Sequence, residues 1–263
     1  MLNPGWLKPK FNQRTMNIPS ESPANDAERH RSSPYRFLFF DLDHTLWDFE
    51  ANSRQALEAL YRSSNLEERG ISDFGGFHRA YLVHNDKLWE RYRNGYIGVE
   101  ELRWKRMWLT LLDYRIADEA LAKELGRVFL DLLPLGKQLF PYTHEILHYL
   151  RERGYQLHLI TNGFEKTQQR KLQHADMEGY FGEVITSEVS QSLKPHREIF
   201  DYALRKTGAV KEESIMIGDS IEVDILGAMN AGIDQVYVNH LRQEVSVRPT
   251  YTVYSLRELE NIF

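Results

Sequence analysis

Arg36-Phe37-Leu38-Phe39-Phe40-Asp41-Leu42-Asp43-His44-Thr45-Leu46 is the stretch that decides the fold. A run of aromatic and aliphatic residues ends abruptly in two carboxylates, one residue apart, followed by a hydroxyl. An apolar run of this length reads as a buried parallel strand. In open α/β sheets, ligands bind just beyond the carboxyl ends of strands. Asp41 and Asp43 are two residues apart, so on an extended chain they point the same way. Two like charges that close are costly unless a cation or a shared proton relieves them. A hard divalent cation such as Mg²⁺ is the simplest relief, because it prefers oxygen ligands. An acidic strand-to-loop junction with no chemistry is the alternative.

Three further segments bear on that choice. Tyr155-Gln156-Leu157-His158-Leu159-Ile160 is strand-like and ends in Thr161-Asn162-Gly163. Lys194-Pro195 precedes a helical stretch from His196 to Thr207. Ser214-Ile215-Met216-Ile217 is a short apolar strand ending in Gly218-Asp219-Ser220, with Asp224 five residues past Asp219. Singly, each has a plain reading: a helix N-cap with a turn glycine, a surface turn, a capping aspartate. Together they place a hydroxyl, a cation and further carboxylates at or near strand ends. This ordered set resembles the four motifs of the haloacid dehalogenase superfamily, over roughly residues 36–263.

The resemblance implies a role for each residue. Asp41 attacks phosphorus and forms an acyl phosphate; Asp43 protonates the leaving oxygen and later deprotonates water. Mg²⁺ is held by Asp41, by Asp43 through its backbone carbonyl, and by Asp219, with Asp224 bound directly or through water. Thr161 and the backbone N–H groups of Asn162 and Gly163 hold phosphoryl oxygens, and Lys194 neutralises charge on them. The haloalkanoate dehalogenases of the superfamily lack an acid at the position of Asp43, so a carboxylate there favours phosphate transfer.

The strand and helix signals alternate. Strands are expected near 36–40, 155–161, 183–186, 214–217 and 235–238, with a last one near 251–254. Helices are expected at 165–174, 196–207 and 222–231. Such alternation predicts a Rossmann-like parallel sheet with helices on both faces. Residues 51–64, 73–93, 99–114 and 117–133 instead carry unbroken helical periodicity; Leu57, Leu60 and Tyr61 share one face, as do Leu121, Leu125, Val128 and Phe129. Four helices without strands read as a bundle inserted into the sheet domain, where the resembled superfamily carries its helical cap. The expected organisation is an N-terminal disordered arm over 1–34, a catalytic core over 35–50 and 136–263, and a cap over 51–135. The arm is rich in Pro, Ser, Asn and charge, and Met16 is an alternative start to Met1.

Composition narrows the function classes. The chain has 263 residues, no cysteine and a formal net charge of −5. The lack of cysteine excludes zinc–thiolate sites and cysteine nucleophiles, and suits a reducing cytoplasm. The acidic balance argues against binding polymeric nucleic acid. No stretch has the ~20 apolar residues of a membrane span. His144-Glu145-Ile146-Leu147-His148 fits the H-E-x-x-H zinc pattern, but two helix-surface histidines are the preferred reading. His44 reads as a loop residue.

Asp41–Asn52, Tyr92–Arg106 and Gly218–Ile225 look most like the pyrimidine 5′-nucleotidases of the superfamily. The expected substrate is thus a small phosphorylated metabolite, a nucleoside monophosphate. Sugar-phosphate or phosphoglycolate phosphatases, phosphomutases and a non-catalytic binding protein are the alternatives. Trp47, Phe49, Trp89, Tyr92, Arg93, Asn94, Arg103 and Arg106 are the candidates to face substrate, against a plain role in packing.

Overall fold

The computed structural model describes residues 34–263, so the arm and the choice between Met1 and Met16 lie outside the described residues. Six parallel strands form one sheet: β1 (Phe37–Phe40), β2 (Gln156–Thr161), β3 (Val184–Thr186), β4 (Ser214–Gly218), β5 (Asp234–Val238) and β6 (Tyr251–Val253). Their spatial order is β3-β2-β1-β4-β5-β6. β1 is central, pairing with β2 through Phe40↔Leu159 and with β4 through Phe40↔Ile217. The chain leaves β1 on one side for β2 and returns on the other for β4. The crevice beyond the carboxyl end of β1 is thus the switch point at which such sheets bind ligands.

All four residues of β1 are buried, because both faces of the sheet are covered. Leu38 and Phe40 join Leu159, Ile217 and Val236 in the larger core cluster. Phe37 and Phe39 join Ile199, Phe200 and Ala228 on the opposite face. The period of two along β1 therefore feeds two cores at once, which is why its sequence reads as continuous apolar residues. Helices α5 (Thr143–Glu152), α6 (Glu165–His174), α7 (Ser187–Ser190), α8 (Arg197–Thr207) and α9 (Leu226–Ala231) alternate with the strands. His144 and His148 lie on α5, where His144 packs against the Tyr180 ring and His148 pairs with Glu152.

Four helices stand between β1 and β2. We number this inserted group first in chain order: α1 (Phe49–Ser63), α2 (Phe74–Arg93), α3 (Val99–Asp113) and α4 (Glu119–Leu132). Three of them begin at an aspartate whose carboxylate accepts first-turn N–H bonds: Asp48 from Ala51, Asp73 from Gly75 and Gly76, and Asp118 from Leu121. Such caps satisfy backbone donors that a helix start leaves open. The two chain crossings between these helices and the sheet are pinned together. Asn52 donates to the carbonyls of Asp48 and Gln138 and accepts from the Gln138 N–H. The Trp47 indole donates to the Gly136 carbonyl at 3.2 Å. Trp47 is fully buried, so it serves this joint and does not face a ligand. Among the described residues, no helix is long and apolar enough to cross a membrane.

Candidate active site

Three carboxylates meet beyond β1 and β4. Asp41 follows β1 directly, and its N–H continues the ladder to the Ile217 carbonyl at 2.9 Å. Asp219 follows β4 directly. Asp224 comes from the turn after it. One carboxylate oxygen from each lies within 4.8 Å of the others. Lys194, between α7 and α8, reaches in from the neighbouring loop. Its ammonium is 2.5 Å from Asp41 Oδ1 and 2.6 Å from Asp224 Oδ1, with 1% of the residue exposed. The Asn162 side chain fixes that loop: its Oδ1 accepts from the Lys194 N–H and its Nδ2 donates to the Lys194 carbonyl. Asn162 thus acts on Lys194 through its amide. Thr45 donates to Asp219 Oδ1 at 3.1 Å.

The charges do not balance. Burial first, and then the negative charges of Asp224 and Asp219, push the Asp41 carboxyl up to about 8 despite Lys194. Burial and Asp224 push Asp219 up to about 7. Burial opposes charge on Lys194, but Asp224 and Asp41 outweigh it and hold the ammonium above the ordinary lysine range. Ionised together, the three carboxylates would outnumber the one ammonium, and the excess charge would rest on oxygen atoms alone. That donor set fits a hard divalent cation such as Mg²⁺ or Mn²⁺.

Asp224 reaches the cluster because the chain there is wound as a π-turn. The sequence pattern predicts a single helix over 222–231; the structure has a π-turn over Ile221–Ile225 that passes into α9 at Leu226. The Ile225 N–H bonds the Ser220 carbonyl, and the Asp224 Oδ2 accepts from the Ser220 N–H. This widened turn places Asp224 over Gly218, where a Cβ would overlap the carboxylate. Gly218→Ala should therefore displace Asp224. The expected cost is about 1–3 kcal/mol of stability, as for overpacking in general, together with weaker divalent-cation binding. Denaturant unfolding and cation titration check this; unchanged values for both would show that Asp224 moves aside freely.

Asp43 is placed differently from the expectation. Strand alternation predicts that the Asp43 side chain points with that of Asp41, but the carboxylates that cluster with Asp41 are those of Asp219 and Asp224. The Asp43 carboxylate turns to α6 instead. Its Oδ1 is 2.5 Å from the Lys171 ammonium and its Oδ2 accepts from Gln168 Nε2 at 2.9 Å. Alternation along a strand does not extend past its end, and a buried cation outweighs it here. Gln168 Nε2 also donates to Thr161 Oγ1 at 2.7 Å, and the Gly163 N–H donates to the same oxygen at 3.1 Å. The Gly163 N–H, expected to hold a phosphoryl oxygen, is thus spent on Thr161. With its oxygen accepting two bonds, Thr161 keeps its own proton to donate.

Asp41, Asp43, Thr161, Asn162, Lys194, Asp219 and Asp224 all line one cavity of about 320 Å³. Its other wall comes from His44 and Phe49 at the start of the insertion and from Asn85, Asp86, Trp89 and Arg93 on α2. His44 adopts a left-handed backbone, φ 64°. Trp89 stacks on Phe164 at 5.6 Å, and Leu88 joins Phe164 in an apolar cluster, so α2 is seated on the loop after β2. Arg103 lies outside the cavity lining: it pairs with Glu188 at 2.8 Å and sits over the Phe164 ring. Asn94 borders a separate surface hollow, and Tyr92 packs against Trp89. Arg106 is buried, and its Nη1 donates to Asn85 Oδ1 at 3.1 Å. Asn85, Asp86, Gln168 and Lys171 were not legible as site residues. The only signal was helical spacing: Asn85 and Trp89 are four apart, Gln168 and Lys171 three apart, so each pair shares a helix face.

The sequence profile of the haloacid dehalogenase-like hydrolases matches residues 35–232. The chain belongs to this family and is a phosphatase. It is 35% identical over 228 residues to the pyrimidine 5′-nucleotidase PynA of Streptococcus pneumoniae, covering 86% of this chain and 93% of that one. It is 31% identical over 231 residues to the pyrimidine 5′-nucleotidase YjjG of Escherichia coli, covering 86% and 96%. Among solved structures, the hydrolase YfnB of Bacillus subtilis, determined with bound magnesium, superposes with a TM-score of 0.79 at 28% identity, covering 87% of this chain and 98% of that one.

Proposed function

We propose that this phosphatase hydrolyses pyrimidine nucleoside 5′-monophosphates through an aspartyl-phosphate on Asp41. The observation that carries the reading is the cavity itself. One wall carries Asp41, Thr161 and Lys194, and the other carries the aromatic residues Phe49 and Trp89 with the polar residues Asn85 and Arg93. A nucleotide offers matching parts: a phosphate for the first wall and a planar base for the second. The similarity to PynA and YjjG supports the same choice.

In the first half-reaction an Asp41 oxygen attacks phosphorus. The bond from phosphorus to the nucleoside oxygen breaks, and that oxygen takes its proton from Asp43. In the second, Asp43 takes a proton from water, the water oxygen attacks phosphorus, and phosphate leaves Asp41. Splitting one displacement into two lowers each barrier. Lys194 and the Thr161 hydroxyl face the phosphoryl oxygens, where fixed donors act without reorganising. Asp41, Asp219 and Asp224 would hold Mg²⁺, which supplies charge compensation between an anionic nucleophile and an anionic target. The helices α1–α4 act as a cap that excludes water from this chemistry. A cytoplasmic enzyme with a small-metabolite substrate is consistent with a chain that has no cysteine.

Selectivity belongs to the cap wall. The Arg106 guanidinium has only donors, so Asn85 must turn its oxygen to Arg106. The Asn85 amide nitrogen is left to donate, either to Asp86, as at 3.2 Å here, or to a carbonyl of a bound base. A donor left unpaired by the wrong ligand costs about 1–3 kcal/mol. The expected order of kcat/KM is thymidine and uridine monophosphates first, then adenosine monophosphate, then glucose 6-phosphate and phosphoglycolate. Phosphate release across this panel with Mg²⁺ is the test. A clear preference for either non-nucleotide would remove the nucleotidase assignment and leave the phosphatase standing.

A further inference from the structure

We propose that Gln168 and Lys171, on one face of α6, are the positioning residues that aim Asp43 for proton transfer and couple it to the phosphate-binding hydroxyl of Thr161. The inference rests on the reading of Asp43 as general acid and base. Each Asp43 oxygen has one partner from α6: Lys171 on Oδ1 and Gln168 on Oδ2. Two bonds to two oxygens fix the plane of a carboxylate whose residue lines the cavity.

Both partners are shut off from solvent. Gln168 is fully buried, and Lys171 is 2% exposed. The Lys171 ammonium lies 4.2 Å from the centre of the Trp47 ring. That ring is locked by its own bond to Gly136, so the cation has no solvent-side freedom. Gln168 passes over Gly163, where a Cβ would overlap its amide. A side chain at position 163 would therefore have to displace Gln168. One amide nitrogen then bonds both Asp43 and Thr161, so the group that protonates the leaving oxygen and the group that grips the phosphate share an anchor.

A misplaced acid costs most where the leaving group is poorest. A nucleoside alkoxide needs a proton as it departs; p-nitrophenolate does not. Misplacement by about 1 Å can cost roughly 10²-fold in rate. The experiment compares kcat/KM for uridine 5′-monophosphate and for p-nitrophenyl phosphate in wild type, Lys171→Met, Gln168→Met and Asp43→Asn. Methionine matches the length of glutamine, is one atom shorter than lysine, and cannot hydrogen-bond as they do. Both methionine variants should lose on the order of 10²-fold with uridine monophosphate and several-fold less with p-nitrophenyl phosphate. Lys171→Arg should recover most of the loss. Asp43→Asn should show the same selective loss at larger size. If Asp43→Asn is selective but the α6 variants lose both substrates equally or neither, the positioning role is overturned while the acid role stands. If Asp43→Asn is not selective, the acid role fails and the proposal with it.

Discussion

Asp41→Asn should fold as the wild type does and release no measurable phosphate. The amide is nearly isosteric but a very poor nucleophile at phosphorus, so loss of the covalent route should lower kcat by on the order of 10⁴ or more. The fold should not suffer. Asp41 is buried beside Asp224 and Asp219, and its carboxyl is pushed up to about 8, so the folded chain already prefers it neutral. A neutral amide preserves that uncharged state and leaves Lys194 paired with Asp224. Activity with uridine monophosphate and p-nitrophenyl phosphate, a thermal melt, and acid-quenched trapping of a hydroxylamine-sensitive acyl phosphate measure the three parts. Near-normal turnover by this variant would falsify the aspartyl-phosphate route, whatever the substrate.

The candidate nucleophile is legible in sequence because its signals are local. The β1 run, the two apolar runs that became β2 and β4, and the residues that end them are contiguous in sequence. A parallel sheet gathers strand ends to one edge without further information. The helices of the insertion were legible for the same reason, since each carries its own apolar stripe and three open at a capping aspartate. What escaped depends on side-chain direction in three dimensions. Asp43 should follow Asp41 by strand alternation, yet Lys171 draws it to α6. Glu165-Lys166-Thr167-Gln168-Gln169-Arg170-Lys171 reads as a solvated helix, and only packing shows that Gln168 and Lys171 are its buried face. Arg103 had the chemistry to bind an anion, but Glu188, which also accepts from the first N–H of α6, claims it first. Trp47 is aromatic and close in sequence to Asp41 and Asp43, but its indole closes the joint at Gly136.

Removing divalent cations should abolish activity and make stability fall as pH rises, and both effects share one cause. Asp41 and Asp219 sit at about 8 and about 7 in the folded chain, against roughly 3.9 for a free aspartate. The folded state therefore binds protons that the unfolded chain has released. Stability from that uptake is complete below about pH 4 and is lost as pH climbs through 7 to 8. In excess chelator the melting temperature should drop between pH 5.5 and 8.5 by several degrees, at roughly 2–4 °C per kcal/mol for a chain of this size. Asp219→Asn should flatten that slope, since one of the two groups no longer titrates. Added Mg²⁺ binds the ionised carboxylates and competes with protons. It should raise the melting temperature far more at pH 8.5 than at pH 5.5, and restore phosphate release over the same range. A flat or rising melting temperature in chelator would mean that the carboxylates are not crowded as the structure has them. Full activity in chelator would mean that Lys194 alone offsets their charge, and the cation would have no place in the reaction.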